Sequence, residues 1–129
     1  MSTPNSLTDL LKNLSPILDT NFYAYISVQN IESIQIEDIH CLYRESEGIT
    51  LVLYQEIAEK YKLDYNELYA KITLQVNSSL NDVGLTAAVA TQLGKSNIPC
   101  NVIAAFHHDH IFVPASMAEL AMKALLALI

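Results

Sequence analysis

The stretch that decides the fold is residues 72–117, which read ITLQVNSSLNDVGLTAAVATQLGKSNIPCNVIAAFHHDHIFVPASM. Its hydrophobic periodicity alternates between that of strands and that of a helix. In order, the pattern indicates strand, polar turn, helix, strand, turn and strand, at residues 72–76, 77–82, 83–96, 100–106, 107–110 and 111–113. A strand-helix-strand connection of this kind predicts a right-handed crossover that places the helix on one face of a sheet.

The entry to the predicted helix is the first candidate functional feature. Gly84 follows a polar turn there, and the first backbone amides of any helix have no partner within the helix. Those amides also carry the positive end of the helix dipole. A small anion or carboxylate is favoured at such a position, so the pattern indicates a binding module rather than a catalyst.

The composition predicts one ordinary domain or two very small ones. The chain has 129 residues, of which 51% are hydrophobic, and this is enough for a real core. Fourteen acidic residues against seven basic ones give a net charge of −7, which argues against a nucleic-acid surface. No basic leader and no apolar run of about 18 residues is present, so we expect neither a secretory signal nor a membrane span. With two cysteines and no CxxC pair, a soluble cytoplasmic protein is predicted.

A faint internal repeat indicates two similar halves. The strand Gly48–Leu53 runs into a predicted helix, and the strand that starts at His110 does the same. A helix and a strand precede each copy, and in the first copy these are Leu7–Leu14 and Phe22–Val28. The predicted fold class is α+β, with antiparallel sheets and helices packed on one face.

The last helix is predicted from about Ser116 to Leu128. Ser116 and Glu119 have the spacing of a capping box. Apolar residues lie nearly all round this helix, so we expect it to be buried on more than one side, and a partner subunit is one explanation.

Four segments carry a resemblance to a known family: Arg44–Leu53, Ser78–Ala87, Ile98–Ala104 and Phe106–Pro114. They resemble the ACT-domain family of small ligand-binding regulatory modules, and above all stand-alone proteins made of two ACT-like halves in tandem. The resemblance implies a ferredoxin-like βαββαβ fold, with an N-terminal half at residues 1–66 and a C-terminal ACT domain at residues 67–129. The last segment is the most distinctive, whereas residues 1–43 match only in outline.

The resemblance also implies a ligand site at an interface between ACT units. In the family, the loop between the first strand and the first helix supplies backbone amides around a glycine, here Gly84. An asparagine three residues earlier often holds the ligand, here Asn81, and a polar residue on the second strand faces it, here Asn101. The implied ligand-binding residues are Ser79, Asn81, Asp82, Val83, Gly84, Leu85, Asn101 and Val102. Taken alone, the same residues fit an ordinary helix entry and, at Asn101, a structural hydrogen bond.

The chain departs from the family pattern in two ways. No strand follows the last helix before Ile129, so we expect the other half or another subunit to complete the sheet. The N-terminal half also lacks a clear glycine loop, which leaves open whether it has a second site. A weaker set of interface or ligand candidates is Glu47, Gly48, Thr50, His107, His108 and His110.

The run from His107 to His110 admits a metal-ion reading, because imidazoles and a carboxylate are zinc ligands. Its members are consecutive on a predicted turn, however, where flanking side chains point to opposite faces. We therefore predict no metal site and no cofactor.

The sequence thus favours a non-enzymatic homodimeric sensor that binds an amino acid or a similar small carboxylate, without nucleic-acid or membrane partners. Two alternatives remain. One is a small metal-assisted hydrolase or isomerase that uses the run from His107 to His110. The other is a structural adaptor that docks a partner through its last helix.

Overall fold

The computed structural model describes residues 6–77 and 79–129, and it has the predicted α+β architecture. Ser78, part of the predicted polar turn, lies outside the described residues. Within them the chain forms six strands and four α-helices, with 3-10 turns at Ile36–Asp38 and Ala115–Met117. The elements are α1 (Leu7–Asn13), β1 (Ser15–Val28), β2 (Cys41–Arg44), β3 (Ile49–Tyr54), α2 (Gln55–Lys60), β4 (Leu68–Gln75), α3 (Leu85–Lys95), β5 (Asn101–Ala104), β6 (Asp109–Pro114) and α4 (Ala118–Leu126).

The chain divides into two compact units, and the first contains the chain up to Asp19 together with Ala70–Ile129. Its strands lie in the order β1-β4-β6-β5, and β5 and β6 are antiparallel. The start of β1 therefore lies beside β4, in the position that a strand after α4 would take. Of the two sources expected for this strand, the other half of the same chain is the one observed.

The core of the first unit lies between the sheet and helices α1, α3 and α4. Apolar side chains at every second position of β4 face this core, as the period of a strand requires. On α3, the buried residues Leu85, Val89 and Leu93 recur every four positions along one face. Full burial of a side chain such as Leu93 contributes about 1.5–3 kcal/mol, so these helices hold the unit together.

The second unit, Thr20–Tyr69, contains most of β1 together with β2, β3 and α2. Strand β3 pairs antiparallel with both β1 and β2. A smaller core forms where Ala24, Leu51 and Leu53 meet Ala58 of α2. Helices thus pack on one face of the strands in each unit, as predicted.

The compact units differ from the linear division at residues 66 and 67 that the repeat predicts. Residues 6–19 join the C-terminal unit because Leu10 and Leu14 are buried in its core. Helix α1 therefore packs beside α3 rather than acting as its counterpart in the first half. Between β1 and β2, the second unit has only the 3-10 turn where the first unit has α3.

One local prediction about the chain after β5 is wrong. Helix α4 begins at Ala118 and has Met117 at its N-cap without a side-chain hydrogen bond, so the predicted capping box at Ser116 does not form. The 3-10 turn that follows β6 already contains Ser116. Within this chain Leu120 and Leu126 of α4 are about half exposed, so burial of this helix by a partner subunit stays a prediction. No helix in residues 6–77 and 79–129 is long and apolar enough to cross a membrane.

Candidate functional site

The start of α3 is set by a glycine in a conformation that other residues avoid. Gly84 has φ +103° and ψ −22° and occupies the N-cap position. A positive φ of this size costs a side-chain-bearing residue free energy because its Cβ clashes with the backbone. Among the residues that the structure describes, no side chain caps the helix, and its first turn contains no acidic residue. The first amides of α3 are therefore available to a ligand.

The loop before Gly84 is held by hydrogen bonds within itself. The carboxylate of Asp82 accepts from the Ser79 amide at 2.7 Å, and the Asp82 amide donates to the Ser79 carbonyl at 3.1 Å. The Asn81 amide donates to the hydroxyl of Ser79 at 3.3 Å. These bonds fix the direction from which the chain enters the helix.

A cavity of about 100 Å³ lies between this loop and the hairpin that joins β5 to β6. The hairpin turn closes through a bond from the Ala105 amide to the His108 carbonyl at 3.1 Å. The predicted turn at residues 107–110 is therefore placed two residues too late, since Asp109 and His110 already belong to β6. The cavity is lined by Ser79, Leu80, Asp82, Leu85, Thr86, Ala104, Ala105, Phe106, His107, His108 and Asp109.

Carboxylates and imidazoles surround the uncapped helix start. Asp82 lines the cavity from the loop, and Asp109 lines it from the hairpin, where it accepts a bond from the Thr86 hydroxyl at 3.2 Å. His108 also lines the cavity, and its Nδ1 is buried without a hydrogen-bond partner among the described residues. Helix amides and carboxylates together offer partners to both an anionic and a cationic group of one small molecule.

Only part of the predicted ligand-binding set lines this cavity. Ser79, Asp82 and Leu85 do, and Gly84 caps the helix beside them. The remaining members lie elsewhere: Asn81 and Val83 are exposed on the loop, Asn101 donates to the Phe112 carbonyl at 3.2 Å, and Val102 packs against the core. Sequence reasoning missed Leu80, Thr86, the hairpin residues 104–106 and Asp109. For Thr86, its hydroxyl in the first turn of the predicted helix is the feature of the sequence that could have indicated a place in the site.

The second set of candidates divides between the two units. His107 and His108 line the cavity, whereas His110 bonds through Nδ1 to the hydroxyl of Thr73 at 3.0 Å. Burial and the nearby charges of Lys71 and His108 lower the pKa of His110. Glu47, Gly48 and Thr50 belong to the second unit, in and next to the turn between β2 and β3.

The metal-ion alternative gains no support from this arrangement. Across residues 6–77 and 79–129, no group of three or more His, Cys, Asp or Glu side chains converges as metal ligands would. The ring centroids of His107 and His108 are 6.5 Å apart. The Nδ1 of His110 is hydrogen-bonded to the Thr73 hydroxyl.

Comparisons with known proteins agree with the predicted fold. Two models of the ACT domain match the chain in tandem, at residues 3–70 and 65–127. A crystal structure from Vibrio cholerae, of a protein of unknown function described as a possible transport protein, is 41% identical with a TM-score of 0.85. The match covers 95% of this chain and 94% of that one. A comparison with curated proteins gave no significant match.

More distant structures share the fold. Protein Atu0741 from Agrobacterium tumefaciens is 15% identical with a TM-score of 0.73, over 90% of this chain and 89% of that one. The regulatory subunit of aspartate kinase from Thermus thermophilus is 10% identical with a TM-score of 0.66, over 88% and 95%. The predicted ferredoxin-like tandem fold is thus confirmed, and the two ACT-domain matches support a small-molecule-binding regulatory role. With both of its halves matched, the chain belongs to the ACT-domain family.

Proposed function

We propose that this chain is a non-enzymatic sensor that binds an amino acid at the start of α3. The observation that carries the proposal is the uncapped N-terminus of α3, set by Gly84 next to the cavity. Helix N-termini favour carboxylates through unpaired amides and the helix dipole. The ligand's α-carboxylate would therefore lie on the amides of Leu85 and Thr86.

The carboxylates of the cavity suit the ammonium group of the same ligand. Asp82 accepts from the Ser79 amide and Asp109 accepts from the Thr86 hydroxyl, and an ionised carboxylate has about four acceptor positions in all. The Asp109 carboxylate can therefore also accept from an ammonium group. Partners for a carboxylate and for an ammonium group beside one cavity are what an α-amino acid requires.

We further propose that the sensor is a cytoplasmic homodimer whose interface lies at the rim of this cavity. Three large apolar side chains around the cavity are exposed, with relative accessibilities of 67% for Leu80, 78% for Val83 and 78% for Phe106. Contiguous exposed apolar side chains of this kind are typical of interaction surfaces. A ligand that binds one arrangement of the partners more tightly would shift the population towards it.

The proposal is tested by thermal denaturation with each of the twenty common amino acids, followed by calorimetric titration of those that stabilise the protein. A ligand at one hundred times its Kd adds about 2.7 kcal/mol to the free energy of unfolding, which a melting curve resolves. If none of the twenty raises the melting temperature at 10 mM, the proposal is wrong.

A pair of Thr→Glu variants on α3 tests the location of the site. Thr86→Glu places a fixed carboxylate in the first helical turn, where it competes with the ligand's carboxylate, so affinity should fall at least tenfold. Thr91→Glu adds the same charge on an exposed position in the middle of the helix and should leave affinity nearly unchanged. Thr86→Val separates loss of the hydroxyl from gain of the charge. Equal affinities in the two Glu variants would place the ligand elsewhere.

A further inference from the structure

A second, larger space lies next to the cavity at the start of α3. This groove of about 700 Å³ is lined by the end of β4, by Asn13 and Ser15, and by the same hairpin turn. Phe106, His107 and His108 line both the cavity and the groove. The two spaces therefore adjoin at the β5–β6 hairpin, and both lie in the first unit.

The sizes of the two parts assign them different roles. At about 100 Å³, the cavity has roughly the volume of three water molecules in the liquid. Small-molecule sites are usually about 300–1,000 Å³, a range that includes the groove. The cavity can thus hold the carboxylate and ammonium end of an amino acid, and the side chain must extend into the groove.

The groove is polar but carries few formal charges. Its described lining residues include the amides of Asn13, Gln75 and Asn77 and the hydroxyl of Ser15, and none of them is Asp, Glu, Lys or Arg. Amides and hydroxyls both donate and accept hydrogen bonds. A neutral ligand group that both donates and accepts hydrogen bonds therefore fits these side chains better than a charged group or a hydrocarbon does.

His108 lines both the cavity and the groove. Its Nδ1 is buried and has no partner among the described residues. Buried polar atoms are nearly always hydrogen-bonded, so a bound molecule that reaches this atom would satisfy it. The polar lining and the unpaired nitrogen point to the same kind of ligand side chain.

We infer that the ligand is an amino acid with a neutral amide side chain, of which glutamine is the longer form. This inference rests on the proposed amino-acid site and adds the class of side chain. The α-carboxylate and ammonium group occupy the cavity, and the side-chain amide passes His108 and bonds in the groove near Gln75. A second carboxylate in place of that amide would meet no Lys or Arg among the described lining residues of the groove and would be disfavoured by the net charge of −7.

Calorimetric titration with glutamine, glutamate, methionine and alanine tests the inference. The first three have side chains of similar length that end in an amide, a carboxylate and a thioether, while alanine probes the cavity alone. We expect glutamine to bind at least tenfold more tightly than the other three. If alanine binds but glutamine gains nothing over glutamate or methionine, the inference is overturned and the amino-acid site stands. If no common amino acid binds, both fail.

Variants of the groove give an independent readout. Gln75 is exposed at the end of β4, so Gln75→Leu should fold normally and weaken glutamine binding about fivefold or more without changing alanine binding. His108→Phe keeps an aromatic ring but removes Nδ1, so it should weaken glutamine binding. Gln35→Leu makes the matched change at an exposed position of the second unit and should alter neither ligand. A Gln75→Leu variant that binds glutamine like the wild type contradicts the placement.

Discussion

Replacement of Gly84 by alanine tests whether the backbone at the start of α3 is set by glycine. The residue has φ +103°, a value that side-chain-bearing residues reach only with strain. Space is not the obstacle, since an added Cβ would meet the nearest atoms of Leu7 at 3.4–3.7 Å, which is ordinary van der Waals contact. The expected loss is therefore that of the backbone alone, about 1–3 kcal/mol.

Gly94 provides the matched control within the same helix. It lies in the last turn of α3 without a positive φ, and an added Cβ there meets no heavy atom within 4 Å apart from its neighbours in the helix. Alanine in a helix is more favourable than glycine by up to about 0.5–1 kcal/mol. Glycine-to-alanine substitutions at these two positions, ten residues apart, should thus change the free energy of unfolding in opposite directions.

Urea denaturation at equilibrium measures both variants. With an m-value of about 1–3 kcal/mol/M, Gly84→Ala should lower the midpoint by about 1 M and Gly94→Ala should raise it slightly. In a ligand titration, Gly84→Ala should also weaken binding because the first amides of the helix move. A Gly84→Ala variant as stable as Gly94→Ala would refute the argument that this loop depends on a left-handed glycine.

Three further outcomes are expected. The hydrogen bond from Tyr61 lowers the pKa of Asp38, so its contribution to stability is present above pH 3.8 and is lost as pH falls through the lower folded-state pKa. Asp38→Asn should therefore be less stable than the wild type at pH 7, and the difference should shrink as pH falls below 3.8, as measured by urea denaturation. Burial lowers the pKa of His110 below 6.5, so stability falls as pH drops from 6.5 towards the folded-state value, and His110→Gln should flatten that part of the stability profile. Leu93→Ala, at a fully buried position, should cost about 2–5 kcal/mol, whereas Leu126→Ala, 56% exposed, should cost less than about 0.5 kcal/mol.

The fold was largely predictable because its strands and helices have clear periodicities. Strand β3 and helix α3 were placed within about two residues from apolar spacing alone. Strand β1 was harder, since Pro16 and the polar residues that follow obscured its first half, so that it begins at Ser15 rather than Phe22. The membership of α1 in the C-terminal unit was not predictable, because it depends on which core receives Leu10.

The candidate site was predictable in position but only partly in composition. A glycine after a polar turn identifies the helix start, since few residues other than glycine adopt a positive φ. The opposite wall depends on the register of β5 and β6, which pairs Ala104 with Asp109. The turn lies two residues earlier than predicted, which brings Asp109 to the cavity and leaves His110 in β6. The amide of Asn101 bonds across the hairpin to the Phe112 carbonyl, which is the structural alternative that the sequence left open, so its role in ligand binding stays a prediction.

The β2–β3 hairpin of the second unit differs from the β5–β6 hairpin of the first unit, which lines the cavity. Its turn closes in the same way, with the Glu45 amide bonded to the Gly48 carbonyl at 2.9 Å. Here, however, the turn lies close to the end of β1: the Gln29 side chain donates to the Glu47 carbonyl at 3.2 Å. A Cβ added to Gly48 would lie 3.1 Å from the Val28 carbonyl oxygen and 3.2 Å from Gln29 Nε2.

In the second unit, strand end and turn therefore touch where the first unit has a cavity. That part of the chain also follows β1 with a 3-10 turn of three residues, which is too short to present the free amides of α3. A carboxylate ligand has no equivalent helix start to bind there. We expect calorimetric titration to give one amino acid per chain. A stoichiometry of two would contradict this reasoning, because it would require the contact between Gln29 and Glu47 to open in the ligand-bound state.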